Sequence, residues 1–136
     1  MQKRLAPLIL LFFIILWTPP VFAAEDALRS IRKQANEIYR IAQDMVKHGS
    51  DGHTHEIVLY GKKILKRAPA LLESVKSNDS QKIKNKKMVG LIEEMIERTE
   101  AAVRFGEKRK QRSALASAEK ASFRAKKIRQ RLQEIK

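Results

Sequence analysis

Four stretches of this chain place apolar side chains three and four residues apart, and that spacing restricts the fold more than any other feature. Leu28, Ile31, Ala35, Ile38, Ala42 and Met45 form the first seam. Ile57, Gly61, Ile64, Ala68, Leu71 and Val75 form the second, flanked by Val58, Leu65 and Leu72. Val89, Ile92, Ile96, Thr99 and Val103 form the third, with Met88, Met95 and Ala102 beside them. Ala114, Ala118, Ala121, Ala125, Ile128, Leu132 and Ile135 form the fourth. Alternating steps of three and four return each side chain to one side of an α-helix, so every stretch reads as a helix with one stripe to bury. Four such helices of about 20 to 25 residues cover one another's stripes when short turns reverse the chain between them. The expected fold is all-α, an up-down-up-down four-helix bundle.

The breaks between seams fit that reading. Asp26 is a candidate N-cap for a first helix ending near His48, and Gly49 suits the left-handed position past a helix end. Ser50, Asp51 and Gly52 then complete a tight reversal. Pro69 lies inside the second seam, and its missing N–H and ring clash predict a kink near Leu65 to Ala68. Ser77-Asn78-Asp79-Ser80 is a polar break, and Gly106 marks the end of the third helix. Sliding the chain by 57 positions sets Met45-Val46-Lys47-His48-Gly49 on Ala102-Val103-Arg104-Phe105-Gly106, and Lys63 to Ala68 on Lys120 to Ala125. A duplicated helical hairpin accounts for both matches. In the second copy Phe105 answers His48, Lys110 answers His53 and Arg112 answers His55.

Residues 1–23 have the layout of a secretory signal peptide: Lys3 and Arg4, an apolar run from Leu5 to Trp17, Pro19-Pro20, and small Ala23 before Glu25 and Asp26. The alternative is an uncleaved anchor, since Leu5 to Ala24 just suffices to cross a bilayer. Cleavage after Ala23 leaves residues 24–136 as one bundle domain, exported and periplasmic. With no cysteine, neither a disulfide nor a lipid-bearing thiol is available. The net charge of +14 falls to +12 without Lys3 and Arg4. Such an excess favours anionic partners, and export argues against nucleic acid among them.

His48, His53 and His55 are all the histidines of the chain, gathered around the first reversal. Imidazole is the commonest protein ligand for borderline divalent metals, so this turn is the candidate metal site, for Cu(II), Ni(II) or Zn(II). His48 closes one helix and His53 opens the next. Asp44, one turn before His48, is a candidate carboxylate ligand. His55 diverges from His53 if the helix has already begun. The plainer alternative is three exposed turn histidines, with His48 interacting favourably with its helix C-terminus when protonated. No catalytic set accompanies them. His55-Glu56 begins like a zinc-protease helix, but the second histidine position is Leu59. Glu93, Glu94, Glu97 and Glu100 have no histidine on their helix to form a di-iron set, and read as a solvated face with Glu94 near Arg98. The chain is not expected to be an enzyme.

The string His48-Gly49-x-x-Gly52-His53-Thr54, closing an amphipathic helix in a cysteine-free duplicated bundle with an export leader, resembles the small metal-binding protein family of periplasmic, histidine-rich four-helix bundles. That resemblance implies binding or buffering of divalent metals, copper prominently, with His48 and His53 as ligands. It is carried by motif only from Val46 to about Lys63. The family repeats histidine along its helices; here Tyr60 takes one of those places and the second hairpin has none, so one residual site is the most the resemblance implies.

A competing role lies in the C-terminal third. Residues 104–136 carry twelve Lys or Arg against three Glu. A helix so charged can dock on an anionic membrane surface or an acidic protein, or be simply a soluble basic helix. The protein is read as a monomer.

Overall fold

The computed structural model describes residues 20–136 as four helices, α1 (Pro20–Ser50), α2 (Thr54–Lys76), α3 (Lys86–Glu107) and α4 (Gln111–Glu134). The expected leader, apart from its last few residues, lies outside the described part. Each helix packs on its neighbour in sequence, α1 closes the ring against α4, and α2 and α4 touch more lightly across the diagonal. The fold is an all-α four-helix bundle.

The buried side chains are those of the seams. Ile31, Ala35, Ile38, Ala42 and Met45 of α1, and Ile57, Ile64, Ala68, Leu71 and Val75 of α2, are almost wholly removed from water. So are Ala114, Ala118, Ala121, Ala125, Ile128 and Leu132 of α4. Burying each Ile, Leu or Met contributes about 1.5–3 kcal/mol, and these must also offset the self-repulsion of a strongly basic surface. Among the described residues every buried hydrophobic lies between Ile31 and Leu132.

Helix α2 contains an exposed Pro69 and runs on to Lys76. Two details differ from the spacing argument. First, α1 is already helical at Pro20, so Asp26 lies within the helix and is not its N-cap. Second, the deepest stripe of α3 is Met88, Ile92, Met95, Thr99 and Ala102, with Val89 and Ile96 only half-buried at its edge. Thr99 is tolerated there because its hydroxyl donates to the Met95 carbonyl at 2.7 Å.

The duplication extends through the whole core. Shifted by 57, buried Ile31, Ala35, Ile38, Ala42 and Met45 fall on buried Met88, Ile92, Met95, Thr99 and Ala102. Buried Ile57, Gly61, Ile64, Ala68, Leu71 and Val75 fall on Ala114, Ala118, Ala121, Ala125, Ile128 and Leu132. Volumes differ within the pairs: Met45, Ile57 and Ile64 are large where the second copy has alanine, whereas Ala35 is small where it has Ile92. Interiors are close-packed, so an exchange of volume between facing copies keeps the core filled. Surface contacts repeat as well. Arg67 Nε meets Glu37 Oε1 at 2.8 Å, and at the same places in the second hairpin Arg124 pairs with Glu94.

The loop from Ser77 to Asn85 joins the hairpins at the end away from the histidine turn. Ile83 is buried in it, and the Asn85 side chain caps α3 by accepting from the Met88 N–H at 2.9 Å. At this same end Arg32 of α1 donates to the carbonyls of Leu132 and Ile135, placing a cation on the C-terminal end of α4.

Candidate functional site

The first reversal consists of three residues, Asp51 to His53, between the end of α1 and the start of α2. Its backbone is closed by Asp51 N–H donating to Lys47 O at 3.2 Å, Gly52 N–H to Gly49 O at 3.1 Å, and His53 N–H to His48 O at 3.0 Å. Gly52 holds φ +88°, the left-handed conformation glycine adopts without steric cost. Gly49 is buried: a Cβ there would sit 2.8 Å from Ile57 Cδ1 and 3.1 Å from Leu115 Cδ1. The end of α1 is therefore pressed against α2 and α4, which fixes the backbone that carries His48.

That backbone sets His53 near both of the other imidazoles. The rings of His48 and His53 have centres 6.2 Å apart, with their planes 28° from parallel. On its other side His48 lies against Tyr60, centres 5.5 Å apart and planes 12° from parallel. His48 is half-buried by this stacking, while His53 is exposed. Two imidazoles sharing one ion through bonds of about 2.0–2.1 Å have ring centres roughly 4.5 to 6.4 Å apart, depending on the angle at the metal. The His48 and His53 rings lie at the long end of that range, where the angle at the metal is nearly straight, so bent ligation requires the side chains to turn.

His55 lies one residue into α2, which begins at Thr54. Its ring is 6.2 Å from that of His53 and tilted by 46°, but its Nε2 is 3.3 Å from Glu56 Oε1 and its side chain is 79% exposed. Asp44 is exposed on α1. Among the described residues no group of three His, Cys, Asp or Glu side chains is arranged to hold a metal ion. The ring centres thus step from His48 to His53 to His55 at 6.2 Å each, and what sets His55 off is its exposure and its contact with Glu56. Lys63 adds an opposing charge: its ammonium lies 4.7 Å from the centre of the Tyr60 ring, which is itself 5.5 Å from that of His48. A cation bound beside His48 would feel that repulsion.

The second reversal reproduces the first with different chemistry. Lys108 N–H donates to Arg104 O at 3.3 Å, Arg109 N–H to Gly106 O at 2.9 Å and Lys110 N–H to Phe105 O at 2.9 Å. The turns meet: Lys62 Nζ pairs with Glu107 at 2.8 Å, and a shallow depression between them is lined by Gly52, Thr54, His55, Val58, Gly106 and Arg109, among others. Glu94 pairs here with Arg124 of α4, and Glu93 with Lys76 at 3.1 Å, so the local Glu94 to Arg98 attraction gives way to pairing between helices. Tyr60, as a ring held against His48, and the Lys62 to Glu107 link were both missed by sequence reasoning. The seven-residue interval from His53 to Tyr60, two helical turns on one face, is the signal that could have found the first. Comparison with protein-family models, curated proteins and solved structures gave no match.

Proposed function

We propose that the first turn binds one divalent transition-metal ion weakly, through the imidazoles of His48 and His53. The 6.2 Å separation of those ring centres carries the reading, because it makes the two imidazoles neighbours across a single turn and leaves ligation to side-chain rotation. Two imidazole nitrogens with water completing the shell suit Cu(II), Ni(II) or Zn(II) better than calcium or magnesium, which prefer oxygen ligands. His55 becomes a third ligand only by leaving Glu56, and the nearby Lys63 ammonium keeps affinity low. The resemblance of the turn sequence to the small metal-binding proteins supports the same chemistry. Together with the leader it makes the role one of binding or buffering a metal outside the inner membrane, not catalysis.

Calorimetric titration of residues 24–136 with each ion tests this. One equivalent should bind to the native chain, His55→Ala should keep most of the heat, and His48→Ala with His53→Ala should abolish it. Equal heat from the double variant and the native chain would overturn the proposal.

A further inference from the structure

We infer that the outer face of α4 docks on an anionic phospholipid surface, with Phe123 entering the headgroup layer. The charge of this protein is unevenly placed. Residues 104–136 hold twelve cations against three acids, whereas residues 24–103 hold fifteen against twelve. The basic excess therefore belongs to α4 and the turn before it.

Packing does not explain Phe123. Its side chain is 51% exposed, one of only two large hydrophobics so open among the described residues. In the first hairpin the same place is filled by Lys66, also exposed, so the bundle has no use for an aromatic ring there. Around the ring the cations are close: Lys127 Nζ lies 4.6 Å from its centre and the Arg124 guanidinium 5.7 Å. Lys120 and Lys126 are exposed on the same side of the helix, and Glu119 is the neighbouring acid there.

An apolar ring encircled by long cationic side chains fits a boundary where anions overlie hydrocarbon within the depth of one side chain. The cations reach the phosphates along flexible stems while the ring leaves water. Laterally mobile lipids can also gather beneath charges spread along a convex helix, which a protein surface of fixed acids does less readily. The seam from Ala114 to Leu132 is buried in the bundle, so α4 lies on the surface and does not insert its apolar stripe. No described helix is long and apolar enough to cross a membrane.

Sedimentation of residues 24–136 with vesicles, in the presence of a chelator so that the histidine pair plays no part, tests this surface. The chain should pellet with vesicles of phosphatidylglycerol and phosphatidylcholine at low salt, stay in solution with phosphatidylcholine alone, and detach as salt rises. Each of Lys126→Gln and Lys127→Gln should weaken partitioning about fivefold. Phe123→Ala should weaken it roughly tenfold with the salt dependence unchanged. Equal partitioning onto both vesicle types, an unaffected Phe123→Ala variant, or binding to soluble heparin without binding to vesicles would each overturn the inference.

Discussion

Arg109 holds φ +54° at the place in the second turn where Gly52 holds φ +88° in the first. The two turns close with equivalent hydrogen bonds, so the backbone demands a left-handed residue at both positions. Only the first supplies the residue that adopts this conformation without strain. A non-glycine side chain there costs about 1–2 kcal/mol. The fold tolerates this because the surrounding helices fix the path of the turn.

Opposite substitutions at these positions should therefore move stability in opposite directions. Arg109→Gly relieves the strain but loosens the unfolded chain, leaving a net gain of about 0.5–1 kcal/mol. Gly52→Ala meets no crowding, since the nearest atom to its Cβ would be Gln111 Nε2 at 3.5 Å, yet should lose about 1 kcal/mol to backbone strain alone. Urea midpoints of the two variants check the pair of signs.

Two helical glycines should separate in the same way. A Cβ at Gly90 would touch nothing within 4 Å, so Gly90→Ala should stabilise by the helix-propensity difference of about 1 kcal/mol. At Gly61 a Cβ would come 2.5 Å from Val103 Cγ2, a stiff β-branched side chain. Gly61→Ala should destabilise by about 1–2 kcal/mol despite its better propensity. Adding Val103→Ala to that variant should cost less than it does in the native chain, which a thermal-melt cycle measures.

The ion pairs repeated between the hairpins should contribute little. Arg67 and Glu37 are 43% and 51% exposed, and Arg124 and Glu94 are 32% and 50% exposed. Double-mutant cycles should give couplings of about 0.2–1 kcal/mol for each pair, shrinking with added salt. Their role is to fix helix register more than to hold the bundle together.

The helices were legible because a one-stripe helix has to show steps of three and four; α1 and α4 each show a single row, and the row flanking the seam of α2 at Val58, Leu65 and Leu72 is half-buried. In α3 two adjacent rows are apolar: of the expected seam Ile92, Thr99 and Val103 are buried but Val89 and Ile96 are only half-buried, while Met88, Met95 and Ala102 beside it are buried. Aligning Met88 on Ile31 through the repeat would have singled out the deeper stripe. Asp26 does not start α1, because the helix-favouring Ala23 and Ala24 before it are already helical. Glu94 was assigned to Arg98 by local spacing, yet its partner lies on another helix. At the turn, sequence located the three histidines. It could not predict the Tyr60 stack or the pairing of His55 with Glu56, which depend on side-chain rotamers. Ile83 was overlooked as a lone apolar residue in a polar loop.

The matching of the two turns also allows the metal reading to be tested by addition. Lys110 N–H donates to Phe105 O at 2.9 Å, as His53 N–H donates to His48 O at 3.0 Å, so Phe105→His with Lys110→His places two imidazoles on the same backbone. If the pair alone suffices for ligation, the grafted chain should bind two equivalents of copper, nickel or zinc where the native chain binds one. Affinity at the new turn should be the lower, because Lys108, Arg109 and Arg112 surround it and Ser117 stands in the place of Tyr60. Adding His48→Ala and His53→Ala should return the stoichiometry to one. A graft that binds nothing beside a native turn that does would show that the Tyr60 stack, and not the backbone of the turn, makes the first pair competent.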